Sequence, residues 1–397
     1  MNIKKQVVQF VAVGMSFFLF SSSTNASTNS TPIEIDVPTS QADYLDYLND
    51  IKEGEIKVPI KKLEEINTSK EDVLEKYDHA IKLVNNYMKD NQILIKNDID
   101  NADYQMFVIS LGVNLDQFSP ADQSFILDYV KFMDLYENKR KNKLIENYEQ
   151  KLSTNQISTN EIIDLMDLMP VADSEKATKP STVNEVIENQ KNAIDHKNSV
   201  EESVYENSVA QLISPSAYSN GYSSVKARDY AYKWWDGRNP SYPYYAKSKD
   251  CSITSKECWK KWDDCTNFVS QALLAGGMEE WPGLVNRSTA WYYIDSLINA
   301  PSHSWGGANS FYKFWSIRAK TAPTAAKAAM GDPVNADFEG DGDINHTALI
   351  TLLKDGHFYL TQHTVDKKNA PLSSWYSSGY KVYVWKMDQA IQSQIPS

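Results

Sequence analysis

Residues 263–277 read Asp-Asp-Cys-Thr-Asn-Phe-Val-Ser-Gln-Ala-Leu-Leu-Ala-Gly-Gly, which is the pattern of a short helix that begins at a cysteine. Helical spacing runs from Thr266 to Ala275, and the two glycines that follow end the helix. Cys265 therefore stands at the helix start. A thiol there is expected to have a lowered pKa, because it feels the positive end of the helix dipole. The unpaired N–H groups of the same turn can stabilise an oxyanion. Position alone leaves a structural cysteine or a disulfide partner equally open.

The cysteine count favours a distinct role for Cys265. The chain has three cysteines, Cys251, Cys258 and Cys265. In a secreted protein an odd count leaves one thiol over. We expect Cys251 to pair with Cys258, which leaves Cys265 as the candidate nucleophile. A zinc site is the competing interpretation, but cysteines spaced by seven match none of the usual close-pair ligand spacings.

Two later segments offer a base for this thiol. His346 stands at the start of a predicted strand, where it would act as general base and then as general acid for the leaving amine. Gln362 and His363 end the next strand, and a polar side chain there could fix the tautomer of His346. Successive strand residues point to opposite faces, so only one of the two can serve, and we take His363. The alternatives are a surface histidine at a strand start and a third residue that does not reach it.

The C-terminal half, residues 218–397, predicts an α+β domain. A helix over 225–235 precedes the cysteine helix, and a hairpin is predicted from strands at 347–353 and 357–364. A further strand covers 381–386. Helices followed by antiparallel strands give this fold class.

The N-terminal end has the features of a secretory signal peptide. A short basic start is followed by an apolar run over residues 7–20, too short to span a bilayer comfortably, and then by small polar residues. We therefore read residues 1–26 as a cleaved signal, with a membrane anchor as the alternative. The prediction is a secreted protein, extracellular or in the cell wall, with no membrane attachment after cleavage.

Between the signal and the C-terminal half, residues 27–170 predict an all-helical module. Ser69 and Asp72 form the start of a helix that reaches about residue 90, and further helices are predicted over 119–152 and 161–169. Residues 171–217, rich in polar residues and proline, predict a linker. The module could be an intramolecular inhibitor or a spacer, and its sequence does not separate the two.

Charge and tryptophan content divide the chain at the same place. Residues 1–217 carry 35 acidic and 21 basic side chains, and residues 218–397 carry 17 and 19, which gives net charges of −14 and +2. All ten tryptophans lie between Trp234 and Trp385. Such a contrast predicts two domains. Neither half has a basic stripe, so no nucleic-acid partner is expected.

The C-terminal half resembles the "putative amidase domain" family of secreted proteins from Bacillus-like bacteria. The resemblance rests on short motifs that occur in order, from the aromatic helix to the second histidine. These are Tyr230-Ala231-Tyr232 with Trp234, Asn239-Pro240, Asp264 to Gln271, Ala275-Gly276-Gly277, Ser304-Trp305, Gly331-Asp332, Asp341 to Ile344 before His346, and Gln362-His363-Thr364.

That family looks like a branch of the papain-like NlpC and CHAP peptidases. The resemblance implies a cysteine at a helix start packed on an antiparallel sheet, a histidine on the first strand and a third polar residue on the next. It implies hydrolysis of amide bonds, with peptidoglycan peptides as the typical substrate. Asp264, Trp305 and Gln362 are the candidate substrate-binding residues. The alternative is a catalytically inactive papain-like domain in a secreted binding or structural protein.

An acidic loop before His346 suggests a metal. Positions one, three, five and seven of an EF-hand-like pattern are Asp337, Glu339, Asp341 and Asp343, but position twelve is Ala348 where a glutamate is expected. The competing interpretation is a solvated acidic turn. No cofactor is required by the predicted chemistry, and Ca²⁺ at this loop is the one candidate.

Overall fold

The computed structural model describes residues 41–171, 176–185, 187–188, 191, 217–242, 264–282, 290–293 and 301–392. The predicted signal peptide, Cys251, Cys258 and most of the predicted linker lie outside the described residues. Among the described helices, none combines the length and the apolar character needed to cross a membrane.

The N-terminal part is helical, as its periodicity predicts. Its helices are α1 (Gln41–Lys52), α2 (Lys70–Lys76), α3 (Asp78–Asp90), α4 (Ala102–Ser110), α5 (Gln123–Ser153) and α6 (Thr159–Leu168). Ser69 caps α2 by accepting a hydrogen bond from the Asp72 amide, which confirms the predicted helix start. The predicted continuous helix is divided at Tyr77, which is the C-cap of α2 and the N-cap of α3.

The C-terminal part contains helices and one antiparallel sheet, which confirms the α+β class. The helices are α7 (Ser224–Trp234), α8 (Cys265–Ala275), α9 (His303–Gly306), α10 (Ala308–Ser316) and α11 (Ser373–Ser377). The strands are β1 (Lys320–Thr321), β2 (Pro333–Asp337), β3 (His346–Lys354), β4 (His357–Gln362), β5 (Lys367–Pro371) and β6 (Lys381–Lys386). The sheet order is β1-β6-β2-β3-β4-β5.

The two faces of the sheet carry different cores. On one face, Leu349, Tyr383 and Trp385 pack with residues of α7, α8 and α10. On the other face, the intervening residues, among them Ala348 and Ile350, pack with a second set of side chains. Because side chains alternate along a strand, neighbouring residues of β3 belong to different cores.

The second face is covered by the N-terminal helices. One hydrophobic cluster contains residues of α3, α4 and α5 together with residues of β2, β3, β4 and β6. At its edge the Tyr380 hydroxyl donates to the Gly112 carbonyl at 2.8 Å, and a Cβ added at Gly112 would come within 2.7 Å of the Phe338 ring. The described helical residues therefore share a core with the sheet, on the side away from α8.

Candidate active site

The cysteine helix starts where the sequence predicts. Cys265 is the first residue of α8, and Asp264 is its N-cap. The first backbone hydrogen bond of the helix runs from the Phe268 amide to the Asp264 carbonyl at 3.1 Å. Amides ahead of Phe268 have no partner within the helix ladder, so this turn offers donors beside a thiol. Cys265 itself is buried, with 2% of its surface exposed.

Asp264 is the centre of a buried polar cluster next to the thiol. Its Oδ2 lies 2.7 Å from Arg238 Nε and 2.7 Å from His363 Nδ1, and its Oδ1 accepts from Asn267 Nδ2 at 2.7 Å. Burial acts to raise the pKa of Asp264, but the hydrogen bond to His363 and the charges of His363 and Arg238 outweigh it. The net effect holds that pKa below its usual value. Asp264 is thus an anion that fixes its neighbours.

His363 is held from both ring nitrogens. Nδ1 faces the Asp264 carboxylate, and Nε2 lies 2.8 Å from the carbonyl oxygen of Trp234 at the end of α7. Both partners accept and cannot donate, so the two bonds form together only when the ring carries both protons. The ring also stacks on Phe268, with centroids 3.8 Å apart. His363 therefore lies against the first turn of α8.

Thr364 adds a strained backbone position at this point. Its φ is +78°, a left-handed value that a β-branched residue rarely adopts. Its Oγ1 accepts a hydrogen bond from the Asp264 amide at 3.1 Å, so the end of β4 is fixed to the residue before Cys265. Backbone strain of this kind persists where the surroundings over-determine a site.

His346 projects from the other face of the sheet. Its neighbour Thr347 is the residue that meets α8, because its hydroxyl lies 2.9 Å from that of Thr266. His346 instead contacts Trp375 of α11 edge-to-face, with ring centroids 5.7 Å apart, and its Nε2 has no hydrogen-bond partner among the described residues. Burial lowers its pKa to about 3, so the ring is neutral. The structure does not bring His346 to the thiol face of the sheet.

His363, and not Gln362, was expected on the same face of the sheet as His346. The register of β3 and β4 places the two residues the other way round. Leu349 pairs with Thr361, and continuing this register places Thr347 opposite His363 on the α8 face. Gln362 is left on the other face, where its side chain lies beside His346. The side chain of Gln362 is fully buried. His363 therefore does not orient His346, and Gln362 is the polar residue placed to do so.

Trp305 is a core residue that supports the helix. It is fully buried, its ring is tilted against that of Trp291 with centroids 5.0 Å apart, and its Nε1 donates to Asn267 Oδ1 at 2.8 Å. Because Asn267 also donates a hydrogen bond to Asp264, Trp305 helps to hold the Asp264 carboxylate in place. Its described contacts are those of packing around α8.

The acidic loop is folded back on itself and on helix α5. Asp337 accepts from the amides of Gly340 and Gly342. Asp343 is paired with Lys141 of α5. In the described ranges no group of three or more histidine, cysteine or acidic side chains is arranged to hold a metal ion.

Two residues of the cluster had no sequence signal strong enough to single them out. Arg238 forms ion pairs with Asp264 and, at 2.9 Å, with Asp366, but in the sequence it is an isolated arginine before a proline turn. Thr364 ends the Gln362-His363-Thr364 motif, but the sequence gives it no role of its own. Only the tertiary contact between the strand end and the helix start joins these two residues to Asp264.

A protein-family model matches the C-terminal part of the chain. Residues 221–385 match the family model described as "Putative amidase domain". The chain is 33% identical over 144 residues to the uncharacterized protein YhbB of Bacillus subtilis (strain 168), and 32% identical over 163 residues to the uncharacterized protein YjcM of the same organism. These alignments cover 35% and 38% of this chain.

The relatives are matched over less than half of their own length, 40% for YhbB and 33% for YjcM. No solved structure matches the chain significantly. The matched segment begins just before α7 and ends in β6, so it contains Cys265, Asp264, Arg238, His346 and His363. Over residues 221–385 the chain is therefore similar to the amidase domain family.

Proposed function

We propose that this protein is a cysteine hydrolase of amide bonds, with Cys265 as its nucleophile. The observation that carries the proposal is the placement of Cys265 on the first turn of α8, beside a buried Asp264–His363 pair. The match of this segment to an amidase family supports the reaction class. The predicted relation to papain-like NlpC and CHAP peptidases is part of the same proposal.

His363 is the histidine that we assign to acid–base catalysis, in place of His346. It lies on the face of the sheet that α8 covers, and the Asp264 carboxylate fixes its ring as the orienting group does in a triad. His346 lies on the opposite face and is neutral. The assignment requires the Nε2–H of His363 to turn from the Trp234 carbonyl to the reacting atoms when substrate binds.

The proposed reaction has two steps, formation of a thioester and its hydrolysis. The Cys265 thiolate attacks the amide carbonyl, and the oxyanion is stabilised by amides of the first turn of α8. His363 gives its proton to the leaving nitrogen, and the C–N bond breaks to leave a thioester. Water, deprotonated by His363, then attacks the thioester and releases the acid and the thiolate.

The candidate substrate groove is a cleft lined by Thr364 and Asp366, which contact Asp264 and Arg238, whereas Cys265 and His363 are not among its lining residues. It has a volume of about 340 Å³ and lies between α3, α4 and the segment from Thr364 to Lys367. Its walls include Tyr87, Phe107 and Asn114 from the helical part, and Asp366 and Lys367 from the sheet. This mixture of aromatic and charged groups suits a peptide, and a cell-wall peptide is the substrate that we propose.

The helical part is proposed as a wall of this groove. Tyr87, Phe107 and Asn114 of this part line the cleft, while its described core lies on the face of the sheet opposite α8. We further propose export through residues 1–26 and action outside the cell or in the cell wall.

The experiment is covalent labelling of the exported full-length protein with a thiol-reactive analogue of a peptide amide. We expect a single label at Cys265, which is absent from Cys265→Ala. His363→Ala should label on the order of 10²-fold more slowly, as expected for loss of a general base. Digestion of peptidoglycan by the same variants then tests the substrate class.

Two controls keep the assignment open to refutation. His346→Ala removes a buried histidine of the opposite face, and His79→Ala removes an exposed one. Slow labelling of a folded His346→Ala, with His363→Ala unaffected, would return the base to His346. An inert Cys265 in the folded wild type would refute the enzyme and leave a binding or structural protein.

A further inference from the structure

Helix α5 and the loop between β2 and β3 meet in a buried polar contact. Asn345 Nδ2 donates to Asp134 Oδ1 at 3.0 Å, and Asn138 Nδ2 donates to Asp341 Oδ2 at 2.8 Å. Asp134 and Asn138 lie one helical turn apart on α5, and both are fully buried. The contact joins the helical part of the chain to the loop that leads to His346.

Several oxygen atoms in this contact have no partner. Asp134 Oδ2, Asn138 Oδ1 and both carboxylate oxygens of Glu339 are buried without a hydrogen bond. Buried polar atoms are nearly always satisfied, so four unsatisfied oxygens on the two elements of this contact require an explanation. All four are acceptors, and what they lack is a positive charge or a proton.

The neighbouring charges do not supply it. Lys141 is already paired with Asp343 and, at 3.3 Å, with Glu137. Both carboxylate oxygens of Asp337 accept hydrogen bonds from loop amides. The nearby Lys381 ammonium donates to the Gly340 carbonyl at 2.5 Å.

The carboxyl groups of Asp134 and Glu339 lie within hydrogen-bond reach of each other. Two buried carboxylates in contact are unfavourable as anions unless a cation or a shared proton lies between them.

We propose that this contact is a binding site for a divalent cation of the calcium type, held by Glu339, Asp134 and the amide oxygen of Asn138. Hard cations of this kind take carboxylate and amide oxygens as ligands. These ligands differ from those of the EF-hand-like pattern in the sequence. Asp337 accepts from loop amides and Asp343 pairs with Lys141, while α5 supplies two of the three proposed ligands. The proposed site contains only two acidic groups. It is therefore not one of the groups of three or more histidine, cysteine or acidic side chains that were searched for above.

Such a site would connect the two parts of the chain. Its ligands come from α5 and from the β2–β3 loop, so a bound ion stabilises the contact only when both are in place. A ligand that binds only the native state raises the unfolding temperature by mass action. At a hundredfold excess over the dissociation constant, we expect a rise of roughly 5 °C.

The experiment measures thermal unfolding of the full chain in Ca²⁺, in Mg²⁺ and in a chelator, and Tb³⁺ luminescence excited through the aromatic residues. We expect Ca²⁺ to raise the unfolding temperature and to displace Tb³⁺. Asp134→Asn and Glu339→Gln should lose both effects. The matched control is Asp332→Asn, a buried carboxylate that accepts from the amides of Ala329 and Met387 instead.

The outcomes are distinct and need no enzymatic activity. Loss of the Ca²⁺ shift in both variants, with the shift kept in Asp332→Asn, supports the site. Absence of any Ca²⁺ shift in a folded wild type, with Glu339→Gln as stable as the wild type, shows that a shared proton satisfies the pair and overturns the proposal. A shift that persists in both variants overturns the ligand set.

Discussion

Because His346 has different pKa values in the folded and unfolded chain, it should make the free energy of unfolding depend on pH. The folded state holds it neutral, with a pKa lowered by burial from 6.5 to about 3. Between these values the unfolded chain binds a proton that the folded chain does not. The contribution is therefore fully present above about pH 6.5 and is lost as the pH falls toward 3.

The magnitude follows from the two pKa values. Lowering the pH from 7 to 5 should decrease the free energy of unfolding by about 2 kcal/mol through this residue alone. Other groups also titrate in this range, so the relevant quantity is the difference between the wild type and His346→Gln. The variant keeps a polar side chain and removes the titration.

The measurement is urea unfolding of both proteins at pH 7 and pH 5, followed by tryptophan fluorescence. We expect the wild type to lose about 2 kcal/mol more than the variant over this interval. His79→Gln, at an exposed histidine, should behave as the wild type. An equal loss in wild type and His346→Gln, with both proteins folded at pH 7, would refute the buried and neutral state of His346.

Three further variants test other contacts. Gly112→Ala places a Cβ against the Phe338 ring and should lower the free energy of unfolding by about 1–3 kcal/mol in a urea titration, whereas an unchanged midpoint would contradict this packing. Lys313→Met removes a buried ammonium that donates to three carbonyl oxygens at the end of α6. It should lower the free energy of unfolding by about 1–3 kcal/mol in the same titration, and an unchanged stability would contradict this role. Arg238→Lys cannot hold both Asp264 and Asp366, so labelling of Cys265 should slow at unchanged fold, and an unchanged rate would separate this ion pair from the site.

Local sequence signals predicted most elements of the fold. The capping pattern at Ser69 predicted the helix that begins at Lys70, because such a signal lies within one turn of the residues that it orders. A helix was also predicted over 161–169, where the structure has α6 from Thr159 to Leu168. The hairpin of β3 and β4 was visible from its turn and its alternation. Strands β1 and β5 were not assigned, since short segments without a clear period carry little local information.

The sequence predicted only part of the placement of the candidate site residues. The helix start at Cys265 depends on its own neighbours, and the structure has it at the predicted residue. The choice between Gln362 and His363 depends on strand register, because a shift of one residue exchanges the faces. This register cannot be read from the sequence, and the preference for His363 as the partner of His346 does not match the faces that the two residues occupy.

By itself, the sequence determined the α+β class, the cysteine at a helix start and the helical character of the first half, since these follow from residue types and spacings a few positions apart. The tertiary structure decided which histidine faces α8, how Arg238 and Thr364 join Asp264, and that the helical part shares a core with the sheet. The physical reason is that these contacts join residues about 26 to more than 200 positions apart. Such contacts depend on register and on how layers pack, and no local pattern encodes them.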